Sequence, residues 1–126
     1  MTVYFAIALG GSLGAVCRYW VATSTYAALG AQFPYGTLLV NVSGSMLMGF
    51  LAVLLAEKLA LPEAFKMALL VGFLGSYTTF STFALDALHW LNQGEWLKVL
   101  VYILTSVLGS LVGVAAGFFG ARLLLN

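Results

Sequence analysis

The chain reads as an all-α membrane protein with four transmembrane helices, the third of them broken near its middle. Three observations carry that expectation. Of its 126 residues, 63% are apolar and 7% are charged, whereas a water-soluble domain carries about 25% charged residues. The mean hydropathy is +1.06. A helix crosses a hydrocarbon layer of ~30 Å in about 20 residues, so four crossings with short turns occupy the whole of 1–126 as one domain. No length remains for a separate catalytic or sensing domain.

The first span covers about 3–29. No basic residue precedes Arg18, so this stretch reads as a retained span and not as a cleaved signal with a positive leader. A turn at Gly30, Ala31 and Gln32 closes it. Pro34 suits the first turn of the next helix, where its missing N–H costs nothing, and the second span follows at about 35–56. Glu57, Lys58 and Pro62 punctuate the chain before the third span at about 63–91. The middle of that span runs Gly72, Phe73, Leu74, Gly75, Ser76, Tyr77, Thr78, Thr79. Glycine, serine and β-branched threonine are poor helix interior, and an interruption is expected there. Asn92, Gln93, Gly94 and Glu95 form the last turn, and the fourth span takes about 96–125. The trace is up-down-up-down, with both termini on one side.

Lys58, Lys66 and Arg122 on the terminal side face only Lys98 opposite, a weak bias for fixing orientation. An antiparallel pair with dual topology would be served by such indifference. The net charge of +1 offers no basic stripe for nucleic acid. Cys17 is the only cysteine and can form no intrachain disulfide. Gly10 and Gly14, Ser45 and Gly49, and Gly109, Gly113 and Gly117 make flat strips for close helix contact, within one chain or between two. Trp20, Trp90 and Trp96 suit the membrane interfaces, and Trp20 also suits an inside position.

No constellation of nucleophile, acid–base pair or metal ligands is present, so the chain does not read as an enzyme. Asp86 and His89, three residues apart, can pair on one helix face; they stand near the Asn92 turn, where an interfacial, solvated or paired role competes with a functional one. Arg18 lies well inside the first span. It either faces an aqueous cavity, where it attracts anions, or snorkels to an interface. Asn41, with Ser45 on the same face, brings amide donors that suit a small anion or a second helix. A helix resuming after Thr78 and Thr79 stacks Phe80 on Phe83, with Ser81 and Thr82 supplying hydroxyls alongside. Ring edges are electropositive, so two rings turned edge-on can accompany a desolvated anion, though such pairs also serve plain packing.

The string Gly72-Phe73-Leu74-Gly75 through Thr78-Thr79-Phe80-Ser81-Thr82-Phe83 resembles the signature of the Fluc (CrcB) fluoride channels. Two further segments agree: Gly10-Gly11-Ser12-Leu13-Gly14-Ala15 leading to Arg18 and Tyr19, and Gly36-Thr37-Leu38-Leu39-Val40-Asn41-Val42-Ser43-Gly44. The resemblance implies a passive fluoride channel of the cell inner membrane, built as an antiparallel homodimer with two pores. It implies that Phe80 and Phe83 form an aromatic box, that Asn41, Ser81, Thr82, Ser110 and Tyr102 line or adjoin the fluoride path, and that Arg18 stands near a vestibule. It also implies a structural Na+ ion at the dimer centre, held by main-chain carbonyls of Gly75 and Thr78 from both subunits. Ser76 and Tyr77 depart from the family's small or aliphatic residues beside that ion. No phosphate-binding loop for ATP is present, which fits passive conduction. The rivals are a small four-span proton-coupled drug antiporter, although the first span lacks the glutamate such transporters carry there, and a non-conducting structural subunit.

Overall fold

The computed structural model describes residues 1–125. Helix α1 spans Thr2–Leu29. Helix α2 runs Tyr35–Val53 and ends in a π-helical turn, Leu54–Lys58. Helix α3 covers residues 63–77 as a short α-helical start, a π-helical stretch at Ala68–Leu74 and a closing turn at Gly75–Tyr77. Thr78 and Thr79 are extended, and the chain resumes as α4, Phe80–Asn92. Helix α5 spans Trp96–Leu125. Among the described residues, four stretches are long and apolar enough to cross a membrane: Thr2–Leu29, Tyr35–Lys58, Glu63–Asn92 and Trp96–Leu125. The chain is a multi-pass membrane protein.

The small-residue strips join helices of the same chain. A Cβ on Gly14 would collide with the Phe73 carbonyl, so α1 and α3 meet backbone to backbone. Gly49 stands in the same relation to the Val114 carbonyl, and Gly117 to the Met46 carbonyl, which locks α2 against α5. Without a hydrophobic drive between helices in lipid, such close approach is what lets dispersion and weak polar contacts hold a bundle. Val40, Leu74 and Tyr77 form the buried centre, wrapped by Cys17, Val21, Met48, Leu51, Leu70 and Phe73. Leu9, Leu13 and Val16 on α1 and Leu97, Leu108 and Leu111 on α5 are exposed, which leaves an apolar exterior suited to lipid or to another subunit. Trp20 belongs to that exterior, 68% exposed, and does not pack inside.

The third crossing is broken, but not at its glycines. Gly72 stays helical within the π stretch, where its lack of a side chain admits the α1 backbone at Ile7 and Gly11. The chain becomes extended only at Thr78 (φ −81°, ψ 157°) and Thr79 (φ −151°, ψ 113°).

Candidate ion path at the broken helix

The break is built from hydrogen bonds that replace helical ones. The N–H and Oγ1 of Thr78 both donate to the Leu74 carbonyl, at 3.1 and 2.9 Å. In a continuous helix the Thr79 N–H would donate to the Gly75 carbonyl. It donates instead to Asn41 Oδ1 at 2.7 Å, while Asn41 Nδ2 donates to the Thr79 carbonyl at 3.0 Å. Arg18 Nε donates to the Ser76 carbonyl at 2.9 Å, placing a cation at the C-terminal end of α3 where the helix dipole favours it. The Thr79 hydroxyl caps α4: it accepts the Thr82 N–H at 3.1 Å, donates to Thr82 Oγ1 at 2.9 Å and lies 3.3 Å from Ser81 Oγ. Among the described residues, no hydrogen bond reaches the carbonyls of Gly75 or Thr78.

Beside this break lies a groove of about 450 Å³ between α2, α4 and α5. Asn41, Thr78, Thr79, Phe80, Phe83, Ser106 and Ser110 line it, together with other side chains of which none is charged. The Phe80 and Phe83 rings sit 5.4 Å apart, tilted by 48°. Phe83 is buried, whereas Phe80 is 78% exposed on the single chain. Ser45 also lines the groove, but its hydroxyl is spent on the Asn41 carbonyl at 2.7 Å. The Ser106 hydroxyl is buried with no hydrogen-bond partner among the described residues. Sequence reasoning missed Ser106. The signal was its place one turn before Ser110 and one turn after Tyr102, a polar row on an otherwise apolar helix.

A second cavity of about 510 Å³ opens between α1, α2 and α4, where Arg18, Thr37, Thr82 and Asp86 meet. Asp86 Oδ2 accepts from Thr37 Oγ1 at 2.8 Å and from the Tyr102 hydroxyl at 3.0 Å. Tyr26 supports this pair: its hydroxyl lies 3.3 Å from Thr37 Oγ1 and accepts the Thr37 N–H at 3.4 Å. Asp86 therefore takes partners from α2 and α5 and not from His89, whose Nε2 meets Gln93 Nε2 at 2.9 Å. Tyr102 is fully buried between the Phe33 and Phe83 rings and does not line the groove. Ser81 and Thr82 likewise stand outside the groove, tied to the Thr79 hydroxyl. Thr79 lines both cavities, so the Asn41–Thr79 brace is part of the wall between them.

Residues 5–118 match the family described as CrcB-like protein, Camphor Resistance (CrcB). The chain is 51% identical over 118 residues to a protein of Methylococcus capsulatus named fluoride-specific ion channel FluC, covering 94% of this chain but only 52% of that protein's length. A FluC of the same name from Legionella pneumophila strain Lens is 46% identical over 97% of this chain and 91% of its own. Another, from Magnetococcus marinus, is 46% identical over 94% of this chain and 96% of its own. With the match running from the start of α1 almost to the end of α5, the chain belongs to the CrcB family.

Proposed function

We propose that this chain forms a fluoride-selective passive channel that exports cytoplasmic fluoride down its electrochemical gradient across the inner membrane. One observation carries the reading: the Phe80–Phe83 pair and the unpartnered Ser106 hydroxyl share one groove that holds no charged side chain. Fluoride is small and strongly hydrated, so a path for it must replace water with donors yet release the ion at the far end. Ser106, Ser110 and the second Asn41 N–H supply uncharged donors, and the phenyl edges supply weak positive potential without a full charge. Hydrofluoric acid enters cells neutral and ionises inside, so a leak driven by the membrane potential lowers internal fluoride. The name carried by the relatives supports this choice of ion. The reading assigns transport and no catalysis.

In this reading the working unit is an antiparallel homodimer with two pores. The exposure of Phe80 supports it, because one chain leaves half of the ring pair uncovered. A structural sodium ion fits the same break. The carbonyls of Gly75 and Thr78 receive no hydrogen bond from the described residues, and hard cations take oxygen ligands of this kind. Bound there, sodium would supply the positive charge that satisfies carbonyls released inside a membrane. Gly75 lies on the surface of the single chain, where a partner's carbonyls can approach.

The antiporter reading is not favoured: α1 contains no acidic residue, and the carboxylate of α4, Asp86, is engaged by two hydroxyls. Purified protein in vesicles loaded with potassium fluoride tests the proposal. Fluoride efflux that begins only when a potassium ionophore is added supports a channel. Cation uptake driven by a proton gradient points to an antiporter, and silence points to a non-conducting subunit.

A further inference from the structure

We infer that Phe33, in the connection between α1 and α2, positions the ring pair at the break; the inference rests on the channel reading only for its consequence on flux. Five rings form an unbroken series. Tyr35 lies 5.1 Å from Phe33, Phe33 stands edge-on to Tyr102 at 5.6 Å and 85°, Tyr102 meets Phe83 at 5.0 Å, and Phe83 meets Phe80 at 5.4 Å. Tyr102 is the link. Its ring is fully buried between Phe33 and Phe83, and its hydroxyl is fixed on Asp86 at 3.0 Å.

Phe33 belongs to no helix. It follows Gly30, whose φ of 83° turns the chain out of α1, and precedes the buried Pro34. Its carbonyl accepts the Tyr35 N–H at 2.7 Å, which ties this loop to the start of α2. A side chain from outside the bundle thus closes one side of Tyr102, and in a close-packed interior a ring freed on one side shifts its neighbour on the other. Phe33 acts through Tyr102 on Phe83 and touches no ion itself.

The test reads position and flux separately. With 4-fluorophenylalanine placed at 83 in the full-length protein in lipid nanodiscs, F33A should move or broaden the fluorine resonance, and F33Y should restore it. In vesicles, F33A should slow fluoride efflux by about two- to tenfold, the factor one aromatic pair supplies, with F33Y near the parent protein. F33L fills the volume without a ring and serves if F33A does not fold; it should behave like F33A. An unmoved resonance in F33A or F33L overturns the inference whatever the flux. A moved resonance with unchanged efflux overturns its bearing on the ion path. A parent protein that conducts nothing defeats the channel reading instead, and the resonance still decides whether Phe33 places Phe83.

Discussion

Asn41 grips the Thr79 backbone at both polar ends, accepting its N–H at 2.7 Å and donating to its carbonyl at 3.0 Å. The side-chain amide thereby takes the place of a peptide neighbour, and it makes an extended residue tolerable in the middle of a membrane crossing. Asn41→Ala removes both bonds and leaves a Thr79 N–H without a partner. Unfolding in detergent should show a loss of about 1–2 kcal/mol, from two bonds of ordinary strength in a membrane interior. Fluoride efflux should fall with it. Asn41→Asp keeps the acceptor but turns a carboxylate oxygen toward the Thr79 carbonyl, so it should not rescue.

Ser106 separates stability from function. Its buried hydroxyl has no partner among the described residues, and leaving a polar group so placed costs about 1 kcal/mol or more. Ser106→Ala should therefore unfold at equal or higher denaturant than the parent protein. Its fluoride efflux should drop by about tenfold or more, the factor of one hydrogen bond to a charged group. A variant that lost stability and kept its flux would place Ser106 in packing alone.

The rings are tested by removing their edges while keeping bulk. Phe80→Ile and Phe83→Ile each retain an apolar side chain beside the groove but lack the electropositive rim. Both should suppress fluoride efflux while the proposed dimer survives size-exclusion chromatography. Parent-level efflux in both variants would take the aromatic pair out of the mechanism.

Sodium withdrawal tests the proposed ion at the carbonyls of Gly75 and Thr78. Replacing sodium by a large organic cation should weaken dimer association and lower fluoride efflux together, and returning sodium should restore both. Dimerisation and flux that ignore the exchange would remove sodium from the structure of the break.

The four crossings were legible because apolar runs of about 20 residues or more suit helices, which satisfy their own backbone in lipid, and the turn residues mark their ends. The interruption of the third crossing was legible as a weak helical stretch from Gly72 to Thr79, and the break falls inside it, at Thr78 and Thr79. Local propensity marks that whole stretch alike, whereas the bonds that hold Thr79 extended come from Asn41, 38 residues earlier in the chain. Helix-face spacing likewise set Asp86 beside His89, while its partners arrive from Thr37 and Tyr102 on two other helices. The glycine strips were plain as contact surfaces, yet only the fold shows that Gly14 meets Phe73 and Gly117 meets Met46. Ser106 escaped notice because a serine among apolar residues of a helix looks like a packing residue, even in a row with Tyr102 and Ser110; its unpartnered hydroxyl is visible only once the groove is assembled.

In the proposed channel, uncharged donors and phenyl edges distinguish one halide from another. Matched vesicles loaded with potassium fluoride or potassium chloride, holding the same purified protein and opened with the same potassium ionophore, test it most directly. Fluoride should empty rapidly while chloride stays inside. Chloride leaving as fast as fluoride would contradict it.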